Sequence, residues 1–191
     1  MRIDDYDEWY YNRPQGRQYR ENEKIWQSLA GMIECLRPSN VFEFGSGLGH
    51  LLKECSKRQI NIIGSETSRY AILNSLCKER IIRIGEIDQC SLPFKNDSFD
   101  LVFSSEVMEH VKEPYTEAVI RELRRICSKR ALLTINTFDR EKPGHINMHS
   151  RDWWLNRFEK NGFRHNDQLW TELGRLKYLN WDLYVFDIIP L

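Results

Sequence analysis

No charge of one sign dominates this chain: among its 191 residues, 28 Lys and Arg meet 28 Asp and Glu. A formal charge of zero supplies no global basic field of the kind that drives binding to nucleic acid or a membrane surface. Also missing is any run approaching the roughly 18 apolar residues that a membrane helix needs. The opening, MRIDDYDEWYYNR, lacks the basic start and apolar middle of a secretion signal. These absences lead to the expectation of a soluble, cytoplasmic protein with no membrane partner. Cysteine is sparse and unpatterned. Cys35, Cys55, Cys77, Cys90 and Cys127 are odd in number and form no C-x-x-C pair, which argues against a disulfide framework and a thiolate zinc site. No internal repeat or low-complexity tract appears, and the length suits one domain better than two.

What is present is concentrated in Val41–Leu52, VFEFGSGLGHLL. A short apolar strand runs into Gly45, Ser46, Gly47 and Gly49, after which a helical pattern begins. Glycines at such a turn let the backbone bend sharply and a ligand approach closely, while the free N–H groups beyond favour electron-rich groups. A dinucleotide loop wants G-x-G-x-x-G over a pyrophosphate. Here the third glycine comes one position early and His50 stands in its place. Glu43, two residues before the first glycine, would repel a pyrophosphate and suits a ligand carrying an ammonium group. One strand–helix–strand unit later, INIIGS closes on Glu66, where a carboxylate can accept hydrogen bonds from a ribose diol. As a helix-capping acid before Thr67 and Ser68, Glu66 has an ordinary structural use as well.

The remaining pattern alternates strands and helices. Helices are expected over 21–36, 48–58, 68–79 and 114–126, and from the cap Ser150 to Gly162. Strands are expected over 41–44, 60–65, 81–84, 101–103 and 131–136, from Phe163, and over 181–189. Right-handed crossovers then give an α/β three-layer sandwich: a mostly parallel seven-stranded sheet with an antiparallel C-terminal edge. Residues 1–20, rich in Tyr, Trp and Arg, form an aromatic arm that either packs on the domain or closes over its pocket as a lid; residues 21–191 form the single domain.

The E-x-G-x-G-x-G of Glu43–Gly49 resembles motif I of the class I S-adenosylmethionine (SAM) methyltransferases. So do the D-x-x-x-L-P-F…S-F-D-L-V block of Asp88–Val102 and the V-x-E-H-V ending at Val111, in the same order and at the same spacing. The resemblance implies SAM as cofactor and S-adenosylhomocysteine as product. Glu43 and the Gly45–Gly49 backbone would hold the methionyl end, Glu66 the ribose, Asp88 and Gln89 the adenine, with Ser104 flooring the site. Leu92 and Phe94 would prop the adenine loop.

On the acceptor side, Glu106, Glu109 and His110 follow the fourth strand and His145 and His149 the fifth. They are the candidate catalytic set, with His149 the spare. E-x-x-E-H with a later histidine is similar to the divalent-metal set of small-RNA 2′-O-methyltransferases and to ubiquinone-pathway O-methyltransferases. V-x-E-H-V is also frequent where no metal is needed, with one histidine as general base, and no metal ligand is assigned here. The stretch H-x-N…W-W-x-x-x-F-E-x-x-G-F looks like methyltransferases acting on sugars and other metabolites, with Trp153 and Trp154 as stacking candidates or core. The expectation is methyl transfer to an oxygen of a small polar acceptor such as a sugar, in glycan or natural-product biosynthesis. A metal-assisted RNA 2′-O-methyltransferase and a non-catalytic SAM-binding partner are the alternatives, and a homodimer stays open. The basic end of the 114–126 helix, Arg121 to Arg130, reads as a solvated face, and zero net charge disfavours a nucleic-acid acceptor.

Overall fold

The computed structural model describes residues 6–14, 17, 20–85, 91–138, 144–178 and 182–189. Seven strands form one sheet: β1 (Val41–Phe44), β2 (Ile62–Glu66), β3 (Ile81–Arg83), β4 (Phe99–Ser105), β5 (Cys127–Ile135), β6 (Phe163–His165) and β7 (Asp182–Ile188), in the order β3-β2-β1-β4-β5-β7-β6. β3, β2, β1, β4 and β5 pair in parallel, while β7 inserts between β5 and β6 and is antiparallel to both. The expected mixed sheet is therefore present. Its antiparallel element lies one strand inside the edge.

Period-two alternation explains the layers. Phe42, Phe44, Val102, Leu133, Tyr184 and Phe186 turn to one face, where α5 (Glu113–Ile126) and α6 (Arg151–Lys160) bury Val119, Ile120, Leu123, Trp154 and Phe158. Val41, Ile62, Leu101, Phe103, Leu132 and Val185 turn to the other. There they meet α2 (Glu23–Cys35), α3 (His50–Lys57) and α7 (Asp167–Gly174). Asn22, Ser150 and Asn166 cap three of these helices with side-chain oxygens.

Three stretches depart from the expected elements, the first being α7, which lies between the last two strands where no helix is expected. The helix expected over 68–79 stops after α4 (Arg69–Leu73). Beyond it Leu76 N–H donates to Leu48 O at 2.9 Å and Ser75 Oγ accepts from Cys77 N at 3.0 Å, so a tertiary bond to the glycine loop replaces the next helical turn. β5 in turn begins at Cys127, four residues before the apolar run. Its polar start is neutralised by Lys129–Asp100 at 2.9 Å and Arg130–Asp187 at 3.1 Å, charges that hide the strand from a hydrophobicity reading. Arg125, expected in solvent, donates to Leu92 O, Phe94 O and Asn96 Oδ1, pinning the loop before β4 to α5. Cys35 is an exposed free thiol, whereas Cys55, Cys77 and Cys127 are buried. Among the described residues no helix is long and apolar enough to cross a membrane.

Candidate functional site

The chain leaves β1 toward β2 on one side and returns to β4 on the other, so the strand order reverses at the β1/β4 boundary. A crevice forms beyond the carboxyl ends of strands at such a point. Gly45, Gly47 and Gly49 all have positive φ there, +80°, +51° and +76°. At Gly45 a Cβ would meet Val107 Cγ2 at 2.5 Å, so the turn must be glycine to admit the loop after β4. At Gly47 the nearest atom would be Tyr11 Cε1 at 3.9 Å, so only the left-handed backbone demands glycine and the space above it is open to a ligand. The Gly45 and Ser46 amides are fastened to Ser65 O at 3.1 and 2.8 Å, which joins the loop to β2.

Glu66, the last residue of β2, is nearly enclosed. Its Oε2 accepts from Gly47 N at 2.7 Å and its Oε1 from the Thr67 and Ser68 amides at 2.7 and 2.8 Å. Three backbone donors thus orient the carboxylate toward the glycine loop and leave acceptor capacity on Oε2. Burial raises its pKa more than those amides lower it. Glu43, 4% exposed, sits below on β1; burial first and Glu66 second push its pKa up to about 8, and its Oε2 has no hydrogen-bond partner. Buried Ser104 donates to Phe44 O at 3.0 Å and closes the floor between β1 and β4. Asp88 and Gln89 lie outside the described residues. Leu92 is buried and the Phe94 ring packs against Phe42 and Phe99.

The four acceptor-side residues also converge. Glu106 follows β4 at φ +55°, a strained conformation for a non-glycine residue. Asn136 Nδ2 donates to Glu106 Oε2 at 3.3 Å, and Asn136 N to Glu109 Oε1 at 3.3 Å. Glu109 is fully buried, and its carbonyl accepts from the Ile146 and Asn147 amides, both at 3.0 Å, which draws His145 to the site. The His110 and His145 rings stand edge to face with centroids 4.9 Å apart. His110 Nδ1–H donates to Gly144 O at 2.9 Å, which leaves Nε2 with its lone pair free of the proton. Burial first, then the neighbouring His145, lowers the His110 pKa to about 3. Ligand atoms of Glu109, His110 and His145 all lie within 4.8 Å of one another.

Other expectations fall away from this site. His149 pairs with Glu113 at 3.4 Å and stacks on Trp153 at 3.7 Å. The guanidinium of Arg157 covers Trp153 at 4.7 Å, and Trp154 is wholly buried in the core, so neither tryptophan presents a free face for a sugar ring. Conversely, the arm carries more of the site than its composition announced. Tyr6 O accepts from Ser68 Oγ at 2.5 Å, Tyr11 stacks on Tyr70 beside Glu66, and Tyr6 meets the His110 ring at 5.8 Å. Asn136 belongs to no motif, and Asn147, the last residue of the H-x-N stretch, carries no assigned role in the sequence; both acquire one only when β5 and residues 144–147 pack against the turn at 108–110.

A family model described as "Methyltransferase domain" matches residues 15–173. The chain belongs to the class I SAM-dependent methyltransferase family. SAM is the cofactor this membership implies, and the residues fit it: the buried, unpartnered Glu43 oxygen suits an ammonium, and the positive-φ loop leaves room at Gly47. No curated protein matches the sequence. Among solved structures, a TehB-like SAM-dependent methyltransferase from Corynebacterium glutamicum superposes with TM-score 0.70 at 17% identity, covering 94% of this chain and 96% of that one. A putative methyltransferase from Haloferax volcanii, in complex with the Trm112 methyltransferase activator, gives TM-score 0.67 at 18% identity, covering 98% and 99%. The [4+2]-cyclase SpnF gives 0.59 at 15%, covering 79% and 74%. At such identities the likeness shows the fold alone, and a cyclase on it separates fold from reaction.

Proposed function

We propose that this methyltransferase is an active enzyme that moves the SAM methyl group to an oxygen of a small polar acceptor, such as a sugar or other metabolite. The observation that carries this reading is the placement of a desolvated imidazole, His110, with its unprotonated Nε2 beside buried Glu109, across the crevice from the Glu43–Gly47–Glu66 cradle. SAM supplies the sulfonium methyl when bound. Glu43, the glycine loop and Glu66 orient it, while Ser104 keeps the floor dry. An acceptor hydroxyl would donate to His110 Nε2, which would take its proton as the oxygen receives the methyl group. The Gly144 carbonyl would hold the imidazolium through Nδ1–H, with the Glu109 carboxyl within 4.8 Å to balance its charge.

The clustering of Glu109, His110 and His145 favours a second reading, in which a divalent cation held by these oxygen and imidazole donors lowers the pKa of the acceptor hydroxyl. One experiment tests both. With a panel of sugars and phenols and a homocysteine readout, His110→Ala should retain S-adenosylhomocysteine affinity and lose about 10²–10⁴-fold in turnover. Unchanged turnover would remove His110 from the chemistry. Loss of wild-type activity in chelator, restored by magnesium or manganese, would select the metal-assisted reading over the general base.

A further inference from the structure

The arm holds a guanidinium two of whose nitrogens are buried with no hydrogen-bond partner among the described residues. Arg13 closes α1 (Glu8–Asn12), its amide donating to Trp9 O at 3.0 Å, and its guanidinium lies over the Tyr10 ring at 4.4 Å. Nε and Nη1 are shut off from solvent and have no hydrogen-bond partner. Buried donors of a charged group are costly to leave unpaired, so an acceptor is missing from their surroundings. The location is functional. Tyr10, on which the guanidinium rests, feels both Glu66 and Glu109, and Arg13 itself contributes to lowering the His110 pKa, so the cation stands between the cofactor cradle and the acceptor side. Arg17 and Arg20, the other described arginines of the arm, are already committed, Arg17 Nε donating to Glu21 Oε1 at 2.7 Å; Arg20 is held by backbone. Its Nη2 donates to the Tyr10 and Tyr11 carbonyls.

On the sheet side of the same crevice the Glu43 Oε2 is equally buried and unpartnered. Each orphan calls for a partner of its own: an ammonium for Glu43 and a carboxylate for the planar fork of the Arg13 guanidinium. We propose that Arg13 anchors a ligand carboxylate in this crevice. The proposal rests on the methyltransferase reading. The carboxylate comes either from the methionyl end of the cofactor or from the acceptor.

The test compares wild type, Arg13→Gln and Arg13→Lys by calorimetry with S-adenosylhomocysteine and with its decarboxylated analogue, and titrates acetate onto each protein saturated with S-adenosylhomocysteine. Equal melting temperatures of the free proteins establish that the variants fold. If the cofactor supplies the carboxylate, wild type prefers S-adenosylhomocysteine over the analogue by about 10- to 100-fold, Arg13→Gln erases that preference and Arg13→Lys restores part of it. If the acceptor supplies it, the preference survives in Arg13→Gln but acetate binding is lost. Retention of both in Arg13→Gln overturns the proposal while leaving the methyltransferase reading intact. Failure of wild type to bind S-adenosylhomocysteine at all overturns both.

Discussion

Burial beneath the glycine loop, reinforced by Glu66, pushes the Glu43 carboxyl up to about 8, against 4.5 for a free glutamate. Between those values the folded chain holds more protons than the unfolded one, so this group costs stability as pH rises from about 4.5 to about 8, with no further loss above. Glu43→Gln should remove that slope, leaving the variant more stable than wild type at pH 8.5 and equal to it near pH 4, as measured by urea unfolding. A ligand ammonium favours the ionised carboxylate. Binding of S-adenosylhomocysteine at pH 7 should therefore release a proton, seen as different apparent enthalpies in phosphate and Tris buffers. That Glu43 and Glu66 lie together at the ends of β1 and β2 was legible in the sequence, because one strand–helix–strand unit fixes their separation. Arg13 was not legible, since an arginine in an aromatic arm gains meaning only from what encloses it.

The strands and most helices were readable as elements, for they bury their apolar positions on the period their geometry requires. The exceptions have tertiary causes. The turn at Ser75 is held by the glycine loop rather than by its own helix, and β5 starts among charges that ion pairs neutralise. The helix α5 shows how an element acts beyond its own face. Glu122 Oε1 accepts from Leu92 N at 2.5 Å, and Arg125 Nη1 and Nη2 bond Phe94 O at 2.7 Å and Leu92 O at 3.1 Å. This latch fixes the loop that follows the proposed adenine-contact residues. Arg125→Met should cost about 1.5–3 kcal/mol in urea unfolding, since hydrogen bonds to a charged group are lost from a mostly covered site. It should also weaken S-adenosylhomocysteine binding in calorimetry; unchanged affinity would show that the loop holds its place without the latch.

At the scale of the molecule, a balanced charge and a sheet with its reversal at β1/β4 set where a ligand binds, and the residues at that crevice set which one. The described part of the arm adds α1 with its buried Tyr11 to this site and no strand to the sheet. Removing residues 1–14 should accordingly leave cooperative unfolding in place while weakening S-adenosylhomocysteine binding, and a chain that no longer folds would show the arm to be structural. Because the same fold also carries a cyclase, turnover and binding are separate questions, and binding is the more direct one. The decisive measurement is a calorimetric titration of the wild-type chain and Gly47→Val with S-adenosylhomocysteine and with NAD. Saturable one-site binding of S-adenosylhomocysteine, no binding of NAD, and a loss of at least about tenfold in affinity in Gly47→Val, where a β-branched residue must adopt φ near +51°, are the expected results. Binding of NAD with no heat from S-adenosylhomocysteine would contradict the assignment of this crevice to a SAM-type cofactor.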